Sequence, residues 1–290
     1  MPTQNRNSSS IVIKRNKEVI IFDCGEGTQR KMVEARIGFR RRTRIFISHL
    51  HGDHVLGIPG LLATMTLLQR ERPLHMYGPK GLTDFIKAFS SVLGGPAFPL
   101  SITEILNPGI LYEGQDYIVS TVKVNHDCPS WGFIFEECPR PGKFHPEKAK
   151  AKNVPEGPLW QKLQHGETII LGDGTLVHST EVVDPQRKGI KVAYSGDTMP
   201  LKSFTMAAMK ADLLIHEATF DESLVEKAIE TGHSTAAQAA KVAKEAKVTR
   251  LILTHLSSRY SDPTILLEEA RLIFPETIIA EDLMVIDLEP

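Results

Sequence analysis

The chain has 290 residues, of which 41% are hydrophobic and 24% charged, and a formal net charge of −1. These values exclude a disordered chain and a global field for polyanions, so any nucleic-acid surface must be a local basic patch. Three irregularly spaced cysteines, Cys24, Cys128 and Cys138, exclude a disulfide framework and fit a reducing compartment.

The polar start, Met1 to Ser10, lacks the hydrophobic core of a secretion signal. No run approaches the roughly 18 apolar residues of a membrane span. The expected location is therefore the cytoplasm, with no membrane partner. Ile11–Ile13 and Val19–Phe22, split by a polar stretch, read as a hairpin. Asp23 to Gly27 turns into a helix expected from Thr28 to about Ile37. Ile45–Ile47 is strand-like and runs into Ser48-His49-Leu50-His51-Gly52-Asp53-His54. Gly57 to Gly60 is expected to break the chain before a helix over Leu61–Leu68. A further helix is expected over Thr83–Leu93, with Thr83 as its cap.

Short strands are expected near Ile110, Tyr117–Val119, Val122–Val124 and Gly132–Phe135. From about Cys138 to Gly189 the chain is rich in Pro, Gly and Lys, which suggests a protruding insertion rather than core. Leu159 and Trp160, beside Gly157-Pro158, are read there as a contact surface. Val192–Tyr194, Leu213–Ile215 and Leu251–Leu253 are strand-like again. Helices are expected over Ser203–Lys210 and Ser234 to about Ala246, in one mixed sheet with helices on both outer faces.

Five of these apolar runs end within a residue or two in a ligand-type side chain: His49, His126, Asp197, His216 or His255. If the strands share a sheet, imidazoles and carboxylates converge along one edge, where burial is costly unless cations neutralise them. Alternate side chains of an extended segment face the same way, so His49 and His51 can reach one metal. The turn at Gly52 redirects Asp53 and His54 toward a second. His126 and His255 would complete the two shells, and the Asp197 carboxylate can bridge them. Imidazole and carboxylate ligation without thiolate suits Zn²⁺, with Mn²⁺ or Fe as alternatives. Cys24 and Cys128 read as core, and His75, His145, His165 and His178 as surface residues.

Glu217 and His233 admit two readings: a carboxylate-oriented proton donor, or a capping network at the start of the helix after Ser234. The basic run Arg36, Arg40, Arg41, Arg42 and Arg44 is either a solvated loop or a guide for a nucleic-acid end.

The His-x-His-x-Asp-His segment from His49 to His54 resembles that of metallo-β-lactamase-fold hydrolases. Phe22 to Gln29, Tyr77 to Gly81, Ser195 to Thr198, His216-Glu217-Ala218-Thr219, Gly232-His233-Ser234-Thr235 and Thr254 to Tyr260 extend the resemblance to the ribonuclease Z family, over nearly the whole chain. The resemblance implies one α/β domain over residues 1–290, a four-layer αβ/βα sandwich carrying an inserted flexible arm over residues 138–189. It implies two Zn²⁺ per chain, one on His49, His51 and His126, the other on Asp53, His54 and His255, with Asp197 bridging. Asp53 would be the general base, and Glu217 with His233 would protonate the departing ribose oxygen.

The substrate implied is precursor tRNA, cut to leave a 3′-hydroxyl on the tRNA and a 5′-phosphate on the trailer, by a homodimer whose arms clamp the tRNA. Lys143, Lys148, Lys150, Lys152, Gly157 and Pro158 in the arm, with Arg6 and Arg259 outside it, are the candidate substrate contacts. The family usually begins with a strand and a glycine-rich turn ahead of the element found here at Pro2 to Asn7. The expectation is a sheet one strand short, with an exposed edge. The competing readings are another hydrolase of this fold (an arylsulfatase, phosphodiesterase, thioesterase or β-lactamase) or a non-catalytic RNA-binding relative.

Overall fold

A computed structural model describes residue 3 and residues 6–289. Of the Pro2–Asn7 element, Pro2 and residues 4 and 5 lie outside the described residues. Strands run in chain order as β1 (Ile11–Arg15), β2 (Glu18–Phe22), β3 (Arg42–Phe46), β4 (Leu74–Pro79), β5 (Leu100–Ile105), β6 (Gly109–Glu113) and β7 (Tyr117–Lys123). They continue as β8 (Trp131–Glu137), β9 (Ile169–Ile170), β10 (Leu176–Val177), β11 (Lys191–Tyr194), β12 (Leu213–Glu217), β13 (Leu251–Thr254) and β14 (Thr277–Ile279). The helices are α1 (Thr28–Glu34), α2 (Gly52–Val55), α3 (Gly57–Leu67), α4 (Leu82–Leu93), α5 (Pro146–Ala151), α6 (Pro158–Gln164), α7 (Lys202–Ala207), α8 (Val225–Glu230), α9 (Ala236–Ala246) and α10 (Thr264–Ile273). None is long and apolar enough to cross a membrane.

The strands of the larger compact unit form two sheets rather than one. Five lie in the order β1-β2-β3-β4-β5 and seven in the order β14-β13-β12-β11-β8-β7-β6. Strand periodicity explains how both faces of each sheet are buried. In β2, Val19 and Ile21 join Ile45 of β3 in a core shared with Ile58 and Leu61 of α3 and Ile86 of α4. On the other face Phe22 stacks on Phe133 of β8 at 5.4 Å and on Tyr194 of β11 at 5.9 Å, and Phe46 tilts against Phe133 at 5.7 Å. The second sheet turns Leu214, Leu251 and Leu253 toward Phe204 of α7, the alanine face of α9, and Leu266 and Ala270 of α10. Helices, sheet, sheet and helices thus make four layers, with an aromatic seam in the middle. Each fully buried Phe or Ile in these layers contributes about 1.5–3 kcal/mol of burial free energy.

The break expected at Gly57 to Gly60 is instead the first turn of α3. Pro59 is tolerated there because first-turn amides have no intrahelical acceptor. Gly57 is required: a Cβ would stand 2.0 Å from the Gly25 carbonyl oxygen, while its own N–H donates to Cys24 O at 2.9 Å. Thr83 does not cap α4. That role falls to Glu104, whose Oε1 accepts from the Gly81 and Thr83 amides.

A second compact unit has Glu136–Ile190 as its main part. It is not a coreless loop: Ala149, Val154, Leu163, Ile169, Val177, Val182 and Val183 are buried together. Leu159 and Trp160, expected at a contact surface, pack against this core, and the Trp160 indole donates to Val154 O at 3.1 Å. The reason is local. Gly157, at φ +126°, lets Pro158 start α6, and α6 lays its apolar side inward.

Candidate metal centre and proton-transfer pair

The strands that bear the ligand candidates come from both sheets, as the resemblance implied, and not from the one sheet that strand periodicity suggested. β3 of the first sheet ends at Phe46 and delivers His49. β7, β11, β12 and β13 of the second deliver His126, Asp197, Glu217 and His255. His51 is still extended (φ −65°, ψ 146°), and one turn of helix, α2, then places Asp53 and His54.

Asp197 is 2% exposed and lies among three imidazoles. Its Oδ2 is 3.7 Å from His49 Nε2, 3.3 Å from His54 Nε2 and 3.2 Å from His255 Nε2. His255 Nε2 is also 3.3 Å from Asp53 Oδ2. The rings of His49, His51 and His126 have centroids 4.7, 5.0 and 5.1 Å apart, and His126 Nε2 is 3.4 Å from His51 Nδ1. All seven ligand candidates are therefore gathered at one place. Gly196, at φ +60°, makes this possible, because a Cβ there would meet Ser48 Cβ at 3.0 Å and Trp131 O at 3.1 Å.

Charge and hydrogen bonding fit divalent cations. His49 Nε2, His54 Nε2 and Asp197 Oδ1 are buried without a hydrogen-bond partner, an arrangement that costs free energy unless something electrophilic meets them. Burial, reinforced by the charge of His54, lowers the His49 pKa to about 3, which keeps that imidazole neutral as a ligand must be. Burial also opposes charge on His54, yet the Asp197 and Asp23 carboxylates raise its pKa well above the usual range. Burial opposes the Asp197 anion, while His255 and His54 hold its pKa far below the usual carboxylate range. The hydrogen bond from His255 lowers that of Asp53. The acids here demand positive charge.

Asp23 organises the ligands, a role the sequence reading missed. It is fully buried at φ +60° and accepts from the Ser48 amide (2.7 Å), Ser48 Oγ (2.8 Å), His54 Nδ1 (2.8 Å) and Tyr194 Oη (2.6 Å). Ser48 Oγ in turn lies 2.9 Å from His49 Nδ1. One carboxylate thus orients two histidines, leaving each Nε2 to face the site. Its signal in sequence was an acid closing an apolar strand, like Asp197. Asp127 was missed as well, and its Oδ1 is 3.1 Å from His126 Nε2. Cys128, expected in the core, is half-buried beside His51 and His126. Cys24 is a core thiol whose pKa burial pushes up to about 12.

Beside the cluster, His233 Nδ1 lies 2.8 Å from Glu217 Oε1. Glu217 is fully buried and also accepts from Thr198 N (3.0 Å), Thr219 N (3.1 Å) and Thr219 Oγ1 (2.8 Å). Burial opposes charge on His233, but Glu217 raises its pKa above the ordinary value. The capping of α9 belongs to Thr235 and Gln238. His216 turns away, with its ring against Phe204 and its Nδ1 2.7 Å from Glu217 O. His51, Asp53, Asp197, Thr219, His233 and His255 line a cavity of about 240 Å³.

The other candidates lie outside this cavity. Arg6 donates to the Ser257 and Tyr260 carbonyls at 3.3 and 2.6 Å, and the Arg259 guanidinium lies 5.1 Å from the Phe220 ring centroid. Within the second unit Lys150 pairs with Glu156 and Lys152 with Glu181, while Lys143, Lys148, Gly157 and Pro158 are exposed. Arg42 and Arg44 share Glu18 at the start of β3, the end opposite His49. His165 and His178 are exposed; His75 is half-buried, as is His145, which bridges Glu147 and Asp184.

Residues 166–256 match the model of the beta-lactamase superfamily domain, and residues 2–126 that of the anti-Pycsar protein Apyc1. The ribonuclease Z of Methanosarcina acetivorans is 44% identical over 290 residues, 99% of this chain and 94% of the relative. That of Nitrosopumilus maritimus is 42% identical over 289 residues, 99% and 96% of the two chains. The crystal structure of the short form of human tRNase Z superposes with a TM-score of 0.73 at 30% identity, covering 100% of this chain and 95% of that one. The metallo-beta-lactamase fold protein YhfI of Bacillus subtilis, at 18% identity and a TM-score of 0.68, shares the fold.

Proposed function

The chain belongs to the ribonuclease Z family, and from that premise we propose that it is a metal-dependent endoribonuclease that removes the 3′ trailer from precursor tRNA. The observation that carries the reading is one cavity wall holding the Asp53 carboxyl group and a carboxylate-backed His233, with His255 between them. The His255 ring is 3.3 Å from Asp53 through Nε2 and is stacked on His233 at 5.3 Å between centroids.

Asp53, whose pKa the hydrogen bond from His255 lowers, would take a proton from the attacking water. As the water oxygen bonds to phosphorus, the bond to the ribose 3′ oxygen breaks, and His233 would give that oxygen its proton. Glu217 keeps His233 charged and fixes its ring through Nδ1, leaving Nε2 to donate. The products are a tRNA with a 3′-hydroxyl and a trailer with a 5′-phosphate. His49, His51 and His126 would hold one zinc and Asp53, His54 and His255 the other, with Asp197 between them. Two such ions supply Lewis acidity and lower the pKa of a bound water.

The second unit is the proposed tRNA-binding arm, with Lys143, Lys148, Lys150, Lys152 and the exposed Gly157-Pro158 turn as its contacts; Arg6 and Arg259 would border the tRNA end. A homodimer is supported by apolar surface on α3 and α4, where Leu67, Val92 and Leu93 are 82%, 81% and 69% exposed. Three free cysteines support a cytoplasmic setting.

The test is incubation with a 3′-extended precursor tRNA, the cut mapped to the nucleotide, alongside thioesters and sulfate esters. Cleavage just after the acceptor stem supports the reading. A preference for the small esters overturns it in favour of another hydrolase of this fold.

A further inference from the structure

We infer that Thr219 is a positioning residue that links the His255 imidazole to the Glu217–His233 pair through its hydroxyl. The inference rests on the metal-dependent reading above. Thr219 Oγ1 is 3.0 Å from His255 Nδ1 and 2.8 Å from Glu217 Oε2. Glu217 Oε1 is 2.8 Å from His233 Nδ1. A hydroxyl has one proton and two lone pairs, so it can accept from one ring and donate to the carboxylate at once.

The directions follow from what each group can do. The hydroxyl proton has two oxygen acceptors in reach, Glu217 Oε2 at 2.8 Å and the His255 carbonyl oxygen at 3.0 Å, and the carboxylate, nearer and the stronger acceptor, takes it. The hydroxyl is then left to accept from His255 Nδ1–H. With its proton on Nδ1, His255 would offer the Nε2 lone pair to a cation shared with Asp53 and Asp197, 3.3 and 3.2 Å away, in place of the hydrogen bond that Nε2 otherwise gives Asp53. On its other oxygen the same carboxylate receives His233 Nδ1–H. One chain, His255 Nδ1–H to Thr219 Oγ1–H to Glu217 to His233 Nδ1–H, therefore fixes the tautomer of a cation ligand and the aim of the proton donor together. Thr219 is 6% exposed, so water does not readily replace the hydroxyl. It lies two residues past the end of β12, and its amide also donates to Glu217 Oε2 at 3.1 Å, so backbone and side chain hold the same carboxylate.

Metal affinity gives a readout independent of turnover. Zn²⁺ is titrated into wild type, Thr219→Val and Thr219→Ser in competition with a chromophoric chelator, and kcat and KM are measured on one precursor tRNA. Wild type should hold two ions. Thr219→Val, isosteric but without a hydroxyl, should hold one of the two about 10- to 100-fold more weakly and lose kcat with little change in KM. Thr219→Ser should restore both. If the valine variant does not fold, Thr219→Ala carries the same expectation. Two ions held equally well by wild type and the valine variant would overturn the link and leave the metal-dependent reading standing. A serine variant as impaired as valine would also overturn the link, since packing of the methyl rather than the hydroxyl would then be what matters. Wild type that holds no zinc would overturn both.

Discussion

At the scale of single residues, the site is a set of carboxylates each given one task by its neighbours. Asp197 sits among imidazoles, Asp23 behind them and Glu217 under His233. Replacing His233 with Ala should lower kcat on precursor tRNA by about 10²–10⁴-fold, the usual worth of a positioned proton donor, with KM nearly unchanged. The pH profile carries a sign. With His233 as the proposed acid, activity should be lost as pH rises through its pKa, and Glu217 raises that pKa. Glu217→Gln should therefore move the alkaline limb of kcat to lower pH; a limb that stays or moves up would remove Glu217 from this role. Asp23 touches no solvent, yet Asp23→Ala should weaken zinc binding about 10- to 100-fold, because both His54 Nδ1 and Ser48 lose their acceptor. Chelator competition reads that loss directly.

Among elements, the strand ends set positions and the turns after them set direction. Two residues past β11, the Gly196 backbone at φ +60° passes between Ser48 and Trp131 and carries Asp197 to the site. An alanine there would be strained as well as crowded, so Gly196→Ala should lower both Tm and zinc affinity. At α9, Thr235 accepts from the Gln238 amide and Gln238 returns the bond. Losing this cap through Thr235→Ala should cost about 0.5–2 kcal/mol in denaturant unfolding.

For the whole molecule, a net charge of −1 leaves tRNA affinity to local cations. Binding should therefore weaken steeply with salt, with a slope set by the few phosphates contacted. Deleting residues 141–188 should weaken precursor tRNA binding while sparing hydrolysis of bis(p-nitrophenyl) phosphate, measured side by side. Equal loss of both would give the unit a folding role. Chelation should lower Tm and zinc should restore it, because ions that bind only the folded chain stabilise it.

How much of this was legible in sequence depends on range. Strands β1–β3, β6–β8 and β11–β13, the ligand cluster after β3 and the α9 helix were readable, because apolar periodicity and His-x-His spacing are written within a few residues; β4, β5, β9, β10 and β14 were not. The start of α3 was misread because Gly and Pro signal a turn in isolation, whereas the approach of Gly57 to the Gly25 carbonyl is a tertiary contact. The second unit's core escaped for the same reason, since Val154, Leu163 and Val177 are apolar at no local period. That two sheets, not one, bring their ends to the site could not be read from any segment, because strand pairing is a choice among distant partners. Sequence alone thus determined which side chains could hold cations and which family the chain resembles. Tertiary structure decided that Asp23 stands behind His54, that Glu217 backs His233 and that Thr219 lies between them and His255. Those are contacts between residues far apart along the chain, and only folding brings them within hydrogen-bond reach.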